Sequence, residues 1–355
     1  MIKRMSIKLG SKFISFDSLP YIIAEIGVNH EGNFQNALKL IESAKLGGAD
    51  AVKFQSYKAN KLASKDSPSY WDTNKEKTKS QYELFKKYDS FEEEDYQKLS
   101  DYSRRLGIDF ISTPFDSDSI DYLDPLMPFY KISSSDITNV PFLRQIASKN
   151  KPVLLSTGAS TLSEIENAIN LLKESGAKDI LLLHCILNYP TNYIDANLNM
   201  IKGLMRSFPT HLIGYSDHTL PDKNMTSLST AFLLGAVVIE KHFTLNKSLK
   251  GNDHYHAMDK DDLTNFVESV KNIKVLLGKN SHKKPLNSEK ISRLNARRSI
   301  VLKISMKKGQ IIKKNNITYK RPGSGISTIF WDEVIGQKVN KNLEEDHILK
   351  WNDLV

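Results

Sequence analysis

A chain of 355 residues, 40% hydrophobic and 26% charged, has room for one large barrel plus a small domain and the composition of a globular protein. It has no apolar run near the ~20 residues that span a bilayer, no signal-peptide pattern at its N-terminus, and a single cysteine, Cys185, which excludes an intrachain disulfide and fits a reducing cytoplasm. The net charge of +9 comes from lysines scattered among acids rather than from a basic stripe, which argues against nucleic acid and favours small anionic substrates.

Short apolar runs recur along the chain: YIIAEIG (21–27), DAVKFQ (50–55), DFISTP (109–114), FYKISS (129–134), PVLLST (152–157), ILLLHC (180–185), HLIGYS (211–216) and AVVIEKHF (236–243). Near-continuous apolar runs are what strands buried on both faces look like. Amphipathic helix patterns fill gaps between them, at residues 34–46, 161–172 and 224–234, and residues 261–277 close the series. Eight strands alternating with helices predict a (β/α)8 barrel over residues 1–278. A doubly wound open sheet is the competitor, but the turn after the first strand, GVNHEGN, lacks its glycine-rich phosphate fingerprint. Residues 57–90 exceed most βα connections and read as an insertion at the active-site rim. Residues 279–290 form a polar linker, and residues 291–355 read as short strands with turns, including RRSIVLKI, VIGQKVNKN and HILKWNDL. Such a small module has few apolar positions, so its core should be marginal and lean on its own barrel or a partner's.

In a barrel, chemistry collects at the C-terminal strand ends. There the chain carries Glu25; Lys53 and Gln55; Thr113; Lys131, Ser133, Ser134 and Asp136; Ser156; His184 and Tyr189; Ser216, Asp217 and His218; Glu240, Lys241 and His242. His218 and His242 end strands one βα unit apart and could face one point, as metal ligands must. The alternative is two hydrogen-bonded histidines at strand ends. A lysine inside a strand is costly to bury without a partner, so Lys53 and Lys131 each need a carboxylate or a bound anion. With the hydroxyls of Ser134, Ser156 and Ser216 nearby, they suit a phosphate and a carboxylate together. Otherwise they are bridged to Glu25, Asp136 or Glu240. Glu25 could orient a metal-bound water, act as general base or bind a substrate hydroxyl. His30 is a weaker candidate, while His184 and Cys185 read as core residues.

The series AEIGVNHEGN, DAVKFQ, FISTPF, YKISSSD, LLSTG, NYPT, GYSDHT and VIEKHFT, followed by GNDH and KRPGSG, resembles the sialic acid synthase family. Its members condense phosphoenolpyruvate with N-acetylmannosamine or a related amino sugar. The resemblance runs over almost the whole chain and implies a (β/α)8 TIM barrel followed by a small β-rich antifreeze-like domain. In the family that domain caps the barrel of the other subunit in a swapped homodimer. The resemblance also implies a divalent metal, usually manganese with magnesium or cobalt as alternatives, on His218 and His242. Phosphoenolpyruvate would meet Lys53, Thr113, Lys131, Ser134, Ser156 and Ser216, with Glu25 at the reacting centre. The sugar would meet Asp136, Tyr189 and Asp253, and Arg321 would reach its N-acetyl end from the partner's small domain. Two departures stand out: Leu187 replaces an asparagine found in many members, and the loop GNDHYHAM carries His254 and His256. The product implied is N-acetylneuraminate, made with release of phosphate. The alternatives are a legionaminic or pseudaminic acid synthase using a 2,4-diacetamido sugar, or a metal-dependent pyruvate aldolase.

Overall fold

Each of the eight apolar runs becomes a strand: β1 Tyr21–Gly27, β2 Ala51–Ser56, β3 Asp109–Pro114, β4 Tyr130–Ile132, β5 Val153–Ser156, β6 Ile180–Cys185, β7 Ile213–Asp217 and β8 Val238–His242. The computed structural model describes residues 6–71, 73, 76–251 and 253–355. Within these residues the strands form one sheet in the order β3-β2-β1-β8-β7-β6-β5-β4, with every hydrogen-bonded neighbour parallel. The end strands β3 and β4 pack side by side, which closes the sheet into a barrel. All residues of β1, β4, β5, β6, β7 and β8 are buried, as strands covered by helices must be.

The covering helices form where caps and apolar spacing coincide. Helix Phe34–Gly47 starts at Asn33, whose side chain accepts from the Asn36 N–H, and stops at Gly48 with φ 95°. Its buried face is Ala37, Leu40, Ile41 and Ala44. Helix Leu162–Glu174 opens on a reciprocal capping box between Thr161 and Glu164. Helices Thr226–Leu233 and Lys260–Leu277 occupy the other two expected stretches. The highly charged helix Glu93–Leu106 is not evident from apolar spacing, because of its four buried residues only Leu99 is aliphatic, and Tyr96, Ser100 and Ser103 are polar or amphipathic. Also unexpected is the hairpin Ile7–Leu9 with Lys12–Ile14, whose Leu9 and Ile14 join the barrel core at the N-terminal ends of the strands. The first five residues of the expected non-signal N-terminus lie outside the described residues.

The chain divides between Gly278 and Lys279. The second unit contains one antiparallel pair, β9 Ser299–Leu302 with β10 Ile317–Lys320. The other strand-like stretches make isolated bridges, such as Val301 with Ile348 and Val339 with Leu354, because turns interrupt them too often for ladders. Ile300, Leu302, Ile312, Val334 and Leu349 are fully buried in a small core of the unit's own. The expected polar linker is partly ordered: a 3-10 turn at Asn287–Glu289 leads into helix Lys290–Ala296.

Candidate active site

Side chains alternate across a strand, so one set of each strand points into the barrel and the other toward the helices. Glu25, Lys53, Thr113, Lys131, Ser156, Ser216, Glu240 and His242 belong to the inner set and share a cavity of about 60 Å³ with Ser134 and His218. His184 is on the outer set: its Nε2 bonds the Ala196 carbonyl at 2.9 Å and its ring stacks on Tyr215. It is a core residue, as expected. Cys185 faces inward but is buried, and burial pushes its thiol up to about 11, so it stays protonated.

At the base of this cavity two ammonium groups and two carboxylates meet. Lys53 Nζ lies 2.6 Å from Glu25 Oε2 and 3.9 Å from Glu240 Oε2, and donates to Thr113 Oγ1 at 3.0 Å. Lys131 Nζ is 3.5 Å from Glu240 Oε1, which also accepts from Ser216 Oγ at 2.8 Å. Lys53 is the more firmly held of the two. Although burial opposes its charge, Glu240 and Glu25 raise its affinity for a proton. For Lys131, burial outweighs Glu240 and holds the ammonium below its usual range. Burial, reinforced by Glu240, pushes the Glu25 carboxyl up against the pull of Lys53. Glu25 Oε1 is fixed by Gln55 Nε2 at 3.0 Å, across a bulge where Gly27 adopts φ 55°. A Cβ at Gly27 would come within 3.2 Å of both of those side chains, so glycine permits this contact. Of the three carboxylates expected as possible partners of the lysines, Glu25 and Glu240 take that role, and the alternation of VIEKH puts Glu240 on the same face as His242.

Ser134 Oγ accepts from the Gly158 N–H at 2.9 Å. Ser156 Oγ is buried and makes no hydrogen bond, a donor of the kind an anionic ligand would use.

Above this cluster the His218 and His242 rings are 5.6 Å apart, and Tyr189 packs 4.1 Å from His218. His218 Nδ1 bonds the Ile186 carbonyl at 2.7 Å. A carbonyl can only accept, so Nδ1 carries the proton and Nε2 keeps its lone pair, the arrangement of a metal-binding imidazole. His242 Nδ1 is buried without a hydrogen bond and lies 3.6 Å from Asp253 Oδ2. Burial holds His218 down to about 4, and burial together with His256 and His218 holds His242 far below the usual range. Neutral imidazoles are the form that binds metals. One donor atom each from His242, Asp253 and His256 also lies within 4.8 Å of the others. This donor set of imidazole and carboxylate fits a divalent cation.

Outward from the histidines opens a cavity of about 460 Å³. Its walls are largely aromatic, with Tyr57, Tyr70, Phe85, Tyr88 and Phe115, much of it from the 57–90 insertion. Its acids are Glu31, Asp136 and Asp253, and no lysine or arginine among the described residues lines it. Asp136 accepts from Ser135 and Asn139, and burial raises its carboxyl. Leu187, Tyr189 and His254 complete the wall, with His254 anchored by Thr244 at 2.8 Å. His30 lies outside both cavities, stacked on Phe91 at 4.2 Å. Arg321 is exposed on the second unit.

Known proteins share this arrangement of chain and domains. Residues 40–282 match the NeuB family and residues 297–355 match the SAF domain. The chain is 41% identical over 341 residues to the N,N'-diacetyllegionaminic acid synthase of Legionella pneumophila, covering 94% of each chain. It is 39% identical over 335 residues to the enzyme of the same name from Campylobacter jejuni, covering 93% of this chain and 98% of that one. A crystal structure of N-acetylneuraminic acid (sialic acid) synthetase from Leptospira borgpetersenii in complex with citrate matches with a TM-score of 0.70 and 33% identity, over 81% of this chain and 95% of that one. The protein therefore belongs to the NeuB family of sugar acid synthases, with a C-terminal SAF, or antifreeze-like, domain.

Proposed function

We propose that this enzyme condenses phosphoenolpyruvate with a neutral 2,4-diacetamido sugar to form N,N'-diacetyllegionaminate and phosphate. The observation that carries the reading is the division of the barrel mouth into two chambers of opposite character. The inner one offers Lys53, Lys131 and hydroxyl donors to a small anion. The outer one is aromatic and acidic, and offers no cation among the described residues. A phosphate ester on the acceptor would meet the carboxylates of Glu31 and Asp136 with no lysine or arginine among the described lining residues to hold it, whereas acetamido methyl groups suit the Tyr57, Tyr70 and Phe85 faces. The two similar legionaminic acid synthases favour the same acceptor. N-acetylmannosamine, with N-acetylneuraminate as product, is the second reading, favoured by the Leptospira structure.

In the mechanism, Lys53 and Lys131 hold the carboxylate and phosphate of phosphoenolpyruvate, with Thr113, Ser134, Ser156 and Ser216 completing its hydrogen bonds. Lys131 gains most, because an incoming anion restores the charge that burial disfavours. Asp136, Tyr189 and Asp253 orient the open-chain sugar so that its aldehyde carbon faces carbon 3 of phosphoenolpyruvate. A divalent metal, manganese with magnesium or cobalt as substitutes, would be held by His218 and His242 and would polarise the aldehyde oxygen. A carbon–carbon bond forms from carbon 3, the aldehyde oxygen takes a proton, water adds at carbon 2 with loss of a proton, and the bond from carbon 2 to the phosphate oxygen breaks as the new hydroxyl becomes the keto group and its proton passes to the departing phosphate. Glu25, whose carboxyl sits above the usual carboxylate range, manages the proton of that water. Arg321 reaches the acetamido end from the partner in a homodimer. The enzyme acts in the cytoplasm, where phosphoenolpyruvate is made.

The test is phosphate release measured with three acceptors: the 2,4-diacetamido sugar, N-acetylmannosamine and its 6-phosphate. The diacetamido sugar should give the highest kcat/KM and the phosphate ester the lowest. A tenfold preference for N-acetylmannosamine would transfer the assignment to N-acetylneuraminate. Equal turnover with pyruvate, without phosphate release, would make the protein an aldolase.

A further inference from the structure

The loop that follows β8 does not leave the barrel mouth. It folds back along the strand end, with the Met258 N–H donating to the His242 carbonyl at 2.8 Å and the Thr244 N–H to the Met258 carbonyl at 3.0 Å. This clasp holds His256 and Ala257 above His242. His256, at the centre of the clasp, is completely buried, and its ring stands 4.8 Å from that of His242 at 64°. Tyr189, which also packs on His218, closes the other side at 5.9 Å.

We propose that His256 is a third imidazole ligand of the divalent metal, with the Asp253 carboxylate beside it. This rests on the reading of His218 and His242 as metal ligands. Donor atoms of His242, Asp253 and His256 already lie within 4.8 Å of one another. Metal–nitrogen bonds of about 2.0–2.2 Å put ligand atoms roughly 3–4 Å apart, so the three need close by only about an ångström. Two histidines alone leave a metal dependent on substrate oxygens to complete its shell. A third imidazole lets this chain hold the ion before substrate arrives, with open positions kept for the acceptor.

The experiment titrates metal-stripped full-length protein with Co2+ in the absence of substrate, following heat and visible absorption. Wild type, His256→Gln and His242→Ala are compared, with circular dichroism as a check on folding. Wild type should bind one ion per chain. His256→Gln should bind at least tenfold more weakly, since loss of even an outer partner costs about ten- to a hundredfold, and its absorption band should shift. An unchanged affinity and band in His256→Gln, with binding lost in His242→Ala, would reduce His256 to packing while leaving the two-histidine metal in place. No binding by wild type would remove the metal reading and this proposal together. Pulsed electron paramagnetic resonance on Mn2+-loaded wild type needs no variant: three coupled imidazoles support the proposal and two overturn it.

Discussion

Lys241 and Asp217 form an ion pair at 2.6 Å with neither side chain exposed, and each precedes a candidate metal ligand, His242 and His218. The two residues are direct partners in the β7–β8 register. They occupy the outer set of their strands, so the pair ties the strands together from behind while the histidines face inward. Lys241 also donates to the Thr219 carbonyl at 2.6 Å, and Asp217 accepts from Tyr215 at 2.6 Å and from the Thr219 N–H at 3.0 Å. Lys241→Met should cost about 3–5 kcal/mol, because it leaves Asp217 buried and charged. Adding Asp217→Asn should recover part of that loss. Urea unfolding of the single and double variants measures both effects, and a single-variant loss below ~1 kcal/mol would show that the pair is not needed to hold the strand ends.

Lys131 and Lys53 differ in how firmly they are held, and their variants should differ too. Lys131→Met should raise KM for phosphoenolpyruvate at least tenfold, and much more than KM for the sugar. Its arginine replacement should also weaken binding, since a planar fork does not match a point-charge site. Lys53→Met should in addition lower kcat, because it removes the 2.6 Å partner of Glu25. Steady-state kinetics with each substrate varied separates these outcomes. Borohydride trapping of a keto-substrate adduct on either lysine would instead make it a Schiff-base nucleophile.

Metal removal gives a third outcome. Exhaustive chelation should abolish phosphate release and Mn2+ should restore it. His218→Ala and His242→Ala should each lose most activity with unchanged circular dichroism. Full turnover in protein shown by elemental analysis to be free of metal would remove the Lewis-acid role.

Arg321 is testable by complementation. His218→Ala and Arg321→Ala should each be inactive, and mixing them under conditions of subunit exchange should regain activity, because in the proposed homodimer a mixed pair would contain one intact composite site. No recovery despite exchange, followed by mass spectrometry of the dimers, would take Arg321 out of the partner's site.

His30 should make the fold sensitive to acid. Burial lowers its pKa to about 4, against an ordinary 6.5. The unfolded chain therefore binds the proton more readily. The stability tied to neutral His30 is fully present above pH 6.5 and is lost as pH falls toward 4, in total roughly 3 kcal/mol. His30→Gln should flatten Tm against pH in that window relative to wild type. Parallel curves would mean that His30 is protonated without penalty.

The strand ends were legible in the sequence because a barrel of buried strands leaves few places for polar groups. The apolar runs marked the eight strands, and any polar residue within one, such as Lys53, Lys131 or His242, had to be a partner or a site. Period-two alternation sorts these residues further, placing Glu240 inside and His184 outside.

What the sequence determined by itself was therefore the barrel, the strand-end chemistry and the family resemblance, since each rests on local patterning. Tertiary structure decided the rest. That Glu240 stands between two lysines depends on closure of the sheet, which brings β2, β4 and β8 to one axis. That His256 lies against His242 depends on the backbone clasp at Met258. That the outer chamber is lined by aromatic side chains and by no lysine or arginine among the described residues depends on where the 57–90 insertion folds. Contacts between residues far apart in the chain are fixed by packing, and no local propensity encodes them.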